Sequence, residues 1–180
     1  MQLGGEDKCA EYRDQDFLNQ IGIDNPELPL SSFWPANGPQ WDALGVGDDN
    51  EVVLVEAKAN VPEFVSPPTK AKDPKSLKLI EESLNETRVF MGVEAPADWK
   101  GALYQYTNRL AHLYYLREKL GKDAFLVWVY CVGDQDTQGP TSRREWQAAI
   151  QVAHEILGIK KRHPLSPYIA EIFIDVELLA

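Results

Sequence analysis

Cysteine and histidine are both scarce in this 180-residue chain, which has only Cys9, Cys131, His112, His154 and His163. Two distant thiols in a sequence without a hydrophobic leader argue against a disulfide-stapled secreted scaffold and a cysteine-based zinc site, and a reducing cytoplasm is expected. The histidines are too dispersed to form a pair at metal-ligand spacing. Long apolar runs are missing as well. The longest, such as FLVWVYCV, are too short to span a bilayer as a helix, so no membrane partner is expected. No glycine-rich phosphate loop precedes a helix, no G-x-S-x-G elbow is present, and there are no repeats or low-complexity tracts. Positive charge is also in short supply, with 18 Lys and Arg against 28 Asp and Glu and a net charge of −10. A protein that coats duplex phosphates carries a broad basic face, and this composition has no such bias. The two local basic stretches, Lys70 to Lys78 and Lys160 to His163, read first as solvated surface. A single groove could still be positive.

What the chain does have is enough apolar material for a core. At 44% hydrophobic and 26% charged residues, positions 1–180 suit one globular domain. WDALGV and EVVLVEAKA read as two strands of a hairpin joined through Gly47, Asp48, Asp49 and Asn50, residue types that tolerate turn dihedrals. Side chains alternate along a strand, so Val52, Leu54, Glu56 and Lys58 fall on one face. A loop centred on Asp49 places Asp42 opposite Glu56, because each lies seven residues from the centre. Directly opposed Cβ atoms are roughly 4.5–5.5 Å apart.

Two carboxylates at that spacing repel each other unless one is protonated or a cation lies between them. Hard oxygen ligands with open positions suit Mg²⁺ or Mn²⁺. Phosphodiester hydrolysis requires that phosphoryl charge be neutralised and a water activated, tasks that a metal and a lysine can divide. Lys58 is placed to orient or deprotonate such a water.

Asp42, a short gap and then Glu56-Ala57-Lys58 on the next strand resemble the core motif of the PD-(D/E)XK nuclease superfamily. Trp41 stands where that motif has proline, and Pro39 lies slightly upstream. The resemblance implies a three-layer α/β fold, restriction-endonuclease-like, with a central mixed sheet flanked by helices. It also implies a metal held by Asp42, Glu56 and the backbone carbonyl of Ala57, with Lys58 assisting the attacking water. Exonuclease-type members bring a Gln toward the site from the following helix, with Tyr four residues on. Here Gln105 is the matching residue and Arg109 stands at the Tyr offset. A helix before the first strand often adds an acidic side chain in such proteins, a role open to Glu11 or Asp14, although ordinary surface charge is the simpler reading. The implied substrate is nucleic acid, DNA ahead of RNA, and a homodimer would suit the cutting of two strands.

The remaining segments fit around this motif. Glu6 to Gln20 reads as a frayed helix, and Asp24 to Pro39 as irregular. VPEFVSPPTKAKDP reads as a proline-broken loop beside the site, with Glu63 a turn residue before it is a third carboxylate. Asp73-Pro74 opens a helix with a buried stripe of Leu77, Ile80 and Leu84. Asp98 to Leu120 is the strongest helix, its apolar face carrying Leu103, Tyr106, Leu110, Leu113 and Tyr114, while Gln105, Asn108, Arg109 and His112 form a second, polar stripe. Trp34 and Trp41 read as core ahead of walling the site, and His112, a lone histidine on a helix, as structural or surface before it is catalytic. Phe125 to Val132 reads as a central strand covered on both sides. A capping box at Ser142 and Glu145 starts a helix that Gly158 ends, and Ile169 to Val176 reads as an edge strand. This order resembles the superfamily core with extra helices between its third and fourth strands.

Two other classes of function compete with hydrolysis. One is a nuclease-like fold retained as a binding or regulatory module, which the acidic balance favours. The other is a structural ion pair, in which Glu56 and Lys58 neutralise each other within the sheet and Asp42 caps a turn. Against the last stands the cost of burying charge without functional return.

Overall fold

A computed structural model describes residues 12–94, 97–134 and 142–179, with the side chain of Leu179 excepted. The architecture is α/β. Among the described residues a four-stranded sheet is ordered β1 (Ala43–Val46), β2 (Val52–Lys58), β3 (Ala124–Val132), β4 (Ile169–Asp175). β1 and β2 are antiparallel, and β2, β3 and β4 run parallel, so the sheet is mixed. Among the same described residues five α-helices accompany it: α1 (Asp14–Gln20), α2 (Val61–Phe64), α3 (Pro74–Phe90), α4 (Tyr104–Tyr114) and α5 (Arg143–Leu157). The combination is compatible with a three-layer α/β arrangement. None of the described helices is long and apolar enough to cross a membrane.

The hairpin register follows the turn chemistry. Ala43 pairs with Val55 and Val46 with Val52, which centres the loop on Asp49. Asn50 adopts φ 65°, a left-handed conformation that asparagine tolerates well. The turn closes with the Gly47 amide donating to the Glu51 carbonyl at 2.8 Å.

Along β2, residues 52, 54, 56 and 58 are buried while 53, 55 and 57 are half-buried. The buried set continues in register across β3, with Leu54 beside Leu126, Glu56 beside Trp128 and Lys58 beside Tyr130. Helices α4 and α5 cover this face. Tyr106 of α4 stacks on Trp128 with centroids 4.6 Å apart, and Trp146 of α5 lies 4.6 Å from Tyr130. The opposite face of β3 is half-buried, so its expected cover on both sides is complete on one. β4 is an edge strand, as its alternation suggests.

The caps match their sequence signals. Asp73 accepts from the Ser76 amide and Ser142 from the Glu145 amide, and Gly158 ends α5 at φ 69°. Two boundaries differ from expectation. The proline-rich loop after β2 begins with the single turn of α2, because Asn60 accepts from the Glu63 amide and Pro62 sits where a helix has a spare N–H anyway. The strongest helix starts at Tyr104 rather than Asp98, its first amides bonding to Gly101 and Leu103, and it finishes in a π-helical turn at Tyr115–Lys119.

Candidate active site at the end of the second strand

Parallel α/β sheets collect ligand sites beyond the C-terminal ends of their strands. Glu56 and Lys58 occupy that end of β2, at the edge of a cavity of about 910 Å³. Asp42, Glu56, Ala57, Lys58 and Gln105 all line this one cavity. The sequence motif is therefore brought to a single place.

Asp42 is exposed and precedes β1, one step beyond the Ala43–Val55 pair, and its Oδ2 accepts from the Ala57 amide at 2.7 Å. That bond ties the start of β1 to β2. Glu56 is only 1% exposed and Lys58 only 7%. The Lys58 ammonium donates to Glu56 Oε1 at 2.5 Å. Arg109, reaching from α4, donates to Glu56 Oε2 through Nε at 2.7 Å, with Nη2 at 2.6 Å. Its other donors meet the Asn108 side chain at 2.8 Å and the Gln40 carbonyl at 2.7 Å, and the guanidinium lies over the Trp41 ring at 4.8 Å. Burial pulls the Arg109 pKa below its ordinary value, opposed by the charge and hydrogen bond of Glu56 and by Asp42.

This network changes one expectation. The sequence suggests that a metal offers the simplest relief for two neighbouring carboxylates, with Arg109 open to contact water or phosphate. Instead Glu56 already holds two cations, and Arg109 is committed to it. The guanidinium fork suits a carboxylate in a dry site, which is why arginine takes this position. Among the described residues no cluster of three or more His, Cys, Asp and Glu is arranged around a common point. The donor types nonetheless fit a hard cation. Asp42 is exposed, with Oδ2 bonded to the Ala57 amide, and Glu56 and Ala57 line the same wall.

Gln105 is half-buried at the start of α4, and its backbone amide donates to Ser66 Oγ at 2.9 Å. Glu63 reaches the Ala59 amide at 3.0 Å and the Asn60 side chain at 3.2 Å, so it caps α2 in keeping with a turn residue. Asp14 accepts from the Asn37 and Gly38 amides at 2.9 and 2.8 Å, which fixes the segment before the hairpin. Glu11 lies outside the described residues. Trp34 and Trp41 are core residues, 3% and 1% exposed.

His112 is also core. Its Nδ1–H donates to the Asn108 carbonyl at 2.8 Å, and its ring lies among Trp34, Trp41 and Phe17 at centroid distances of 4.9, 6.2 and 6.0 Å. Burial pushes its pKa down to about 3. Sequence reasoning did not single out Tyr104 or the partnership of Arg109 with Glu56. The unusual length of the polar stripe on α4 was the available signal: Asn108, Arg109 and His112 are all buried. No family model, curated protein or solved structure matches the chain.

Proposed function

We propose that the chain is a metal-dependent phosphodiesterase acting on nucleic acid, DNA ahead of RNA, with a restriction-endonuclease-like arrangement of its sheet and helices. One observation carries this reading: Asp42, Glu56, Ala57 and Lys58 line the same cavity at the C-terminal end of a parallel strand. Asp42, Glu56 and the Ala57 carbonyl would hold Mg²⁺ or Mn²⁺, which supplies Lewis acidity toward a phosphoryl oxygen and lowers the pKa of water. Lys58 presents an ammonium fixed by Glu56, able to orient the attacking water and to stabilise the charge that develops on the phosphate. Gln105 lines the wall from which an amide can position that water. Arg109 holds Glu56 in place through its two short contacts.

The test is cleavage of DNA and RNA substrates in Mg²⁺ or Mn²⁺ against a chelator control. Lys58→Ala should lower turnover by about 10²-fold or more, the scale of a lost proton-transfer or positioning group, while metal binding persists. Asp42→Ala should weaken metal binding. A Lys58→Ala variant that cuts at the normal rate would remove the proposed role.

A second reading has its own support in the complete pairing of Glu56 by Lys58 and Arg109, which commits both carboxylate oxygens and leaves the buried set with one positive charge in excess, suited to holding an anion without cutting it. Under that reading the fold is a binding or regulatory module. It is distinguished by affinity for nucleic acid without cleavage in any metal.

A further inference from the structure

Of the charged groups of the site Asp42 is exposed, whereas the Glu56, Lys58 and Arg109 set is withdrawn from the surface. Glu56, Lys58 and Arg109 are 1%, 7% and 3% exposed. A phosphate must therefore enter the cavity to reach Lys58. One wall is formed by the segment from Trp34 to Gln40, and the other by the strap from Val65 to Asp73. The strap is fastened at two points. Ser66 Oγ accepts from the Gln105 amide at 2.9 Å, and the Thr69 amide donates to the Lys100 carbonyl at 3.3 Å. Pro67 and Pro68 stiffen it further, since each fixes its own φ. The gap between the walls is thus set by the fold.

Three properties of these walls bear on the ligand. Tyr104 is half-buried, lines the cavity and stacks on Trp34 with centroids 6.4 Å apart and an interplanar angle of 22°. Burial raises the pKa of its hydroxyl, and the nearby side chains of Thr69 and Asn108 oppose that rise. Lys70 and Lys72 are exposed on the strap and line the same opening. The chain as a whole is acidic, with a net charge of −10, and Glu63 and Asp73 line the same cavity as the two lysines. A duplex is a stiff rod with charge spread along its surface, and binding it draws on many phosphate contacts. A single strand is flexible, needs fewer phosphate contacts and gains affinity by stacking bases on aromatic rings.

We propose that the cavity takes a single strand of nucleic acid, threaded between the Trp34–Gln40 wall and the strap, with a base against Tyr104 and phosphates drawn in by Lys70 and Lys72 toward Lys58. This assignment of substrate class rests on the phosphodiesterase reading. The 2′-hydroxyl does not enter the argument, so DNA and RNA strands share the chemistry that is recognised.

The experiment compares fluorescence anisotropy of a labelled single strand about 16 nucleotides long, a length within known single-strand site sizes, with that of its blunt duplex. Both are run as DNA and as RNA, in chelator and in Mg²⁺, with cleavage followed in Mn²⁺. Single strands should bind about tenfold more tightly than the matched duplex, because only they combine stacking with access to the cavity. Tyr104→Ala and the double variant K70E/K72E should each weaken single-strand binding at least about fivefold in protein that remains folded, with the melting temperature unchanged for K70E/K72E and lowered for Tyr104→Ala, whose ring packs on Trp34. Single-strand preference without cleavage supports this assignment and counts against the hydrolase. Duplex cleaved or bound as well as single strand overturns the assignment and leaves the hydrolase standing. Binding of neither overturns both, and full affinity in the folded variants overturns the cavity as the binding place.

Discussion

Two cavities lie among the elements that cover the same face of the sheet, and their polar groups meet burial in different ways. In the first, at the end of β2, Glu56 is charged and is met by Lys58 and Arg109. In the second, of about 650 Å³ between α5 and β4, the polar groups are Tyr106, His154, His163 and Glu171. Here burial pushes both histidines toward the neutral form, His163 down to about 4, and pushes the Glu171 carboxyl up. Tyr106 and His154 share a hydrogen bond of 2.7 Å, a contact between groups that need not be ionised. Charge survives burial where opposite charge lies within contact distance, and elsewhere burial favours the neutral form. Helix α4 shows both outcomes within one turn, with Arg109 paired to Glu56 and His112 neutral among aromatic rings.

The largest test of this contrast is the pH dependence contributed by His112. Its folded pKa of about 3 lies below the ordinary value of 6.5, so between these values the unfolded chain holds the extra proton. The stabilisation is complete above about pH 6.5, is lost as pH falls toward 3, and amounts to on the order of 5 kcal/mol at the full shift. Urea unfolding of the wild type and His112→Gln across this range should show a flatter profile for the variant. Parallel profiles would mean that His112 does not hold its neutral form as described.

Arg109→Leu addresses the charged side. It leaves Glu56 with one cation and frees the Gln40 carbonyl, and unfolding should become easier by about 3–5 kcal/mol, the usual cost of removing one partner from a buried pair. A loss below about 1 kcal/mol, on the scale of exposed ion pairs, would make the pairing incidental. Tyr106→Phe removes the hydroxyl shared with His154 from the neutral cavity and should cost about 1 kcal/mol. The smallest effect belongs to Lys78→Ala, which breaks the exposed pair with Glu82 at 3.7 Å on α3. Chemical denaturation should register about 0.5 kcal/mol or less there, since water screens what burial magnifies.

Local rules made much of this fold legible. Alternation along VVLVEAKA gave the buried face of β2, and the turn composition around Asp49 gave the hairpin register that sets Asp42 beside β2. Asp73, Ser142 and Gly158 announced helix ends because capping depends on one or two neighbouring groups. The contact between Arg109 and Glu56 spans 53 residues and was not readable, because no local pattern states which helix will cross which strand. The same holds for the strap, whose fastening joins Ser66 to α4. The start of α4 was misplaced because the apolar spacing before Tyr104 belongs to turns that pack like a helix: Trp99 and Leu103 are buried without being helical.

The turn at Gly47 to Glu51 exerts leverage far beyond its own contacts. Strand faces have only two states, and adding or deleting a single residue there would force β1 either to bulge or to shift by one place along β2. Asp42 would then lose its alignment with the Ala57 amide, although no residue around the cavity had been altered. Loop length in this hairpin thus fixes where its acidic residue is delivered, and variation tolerated at other surface turns would here displace Asp42 while leaving the protein folded.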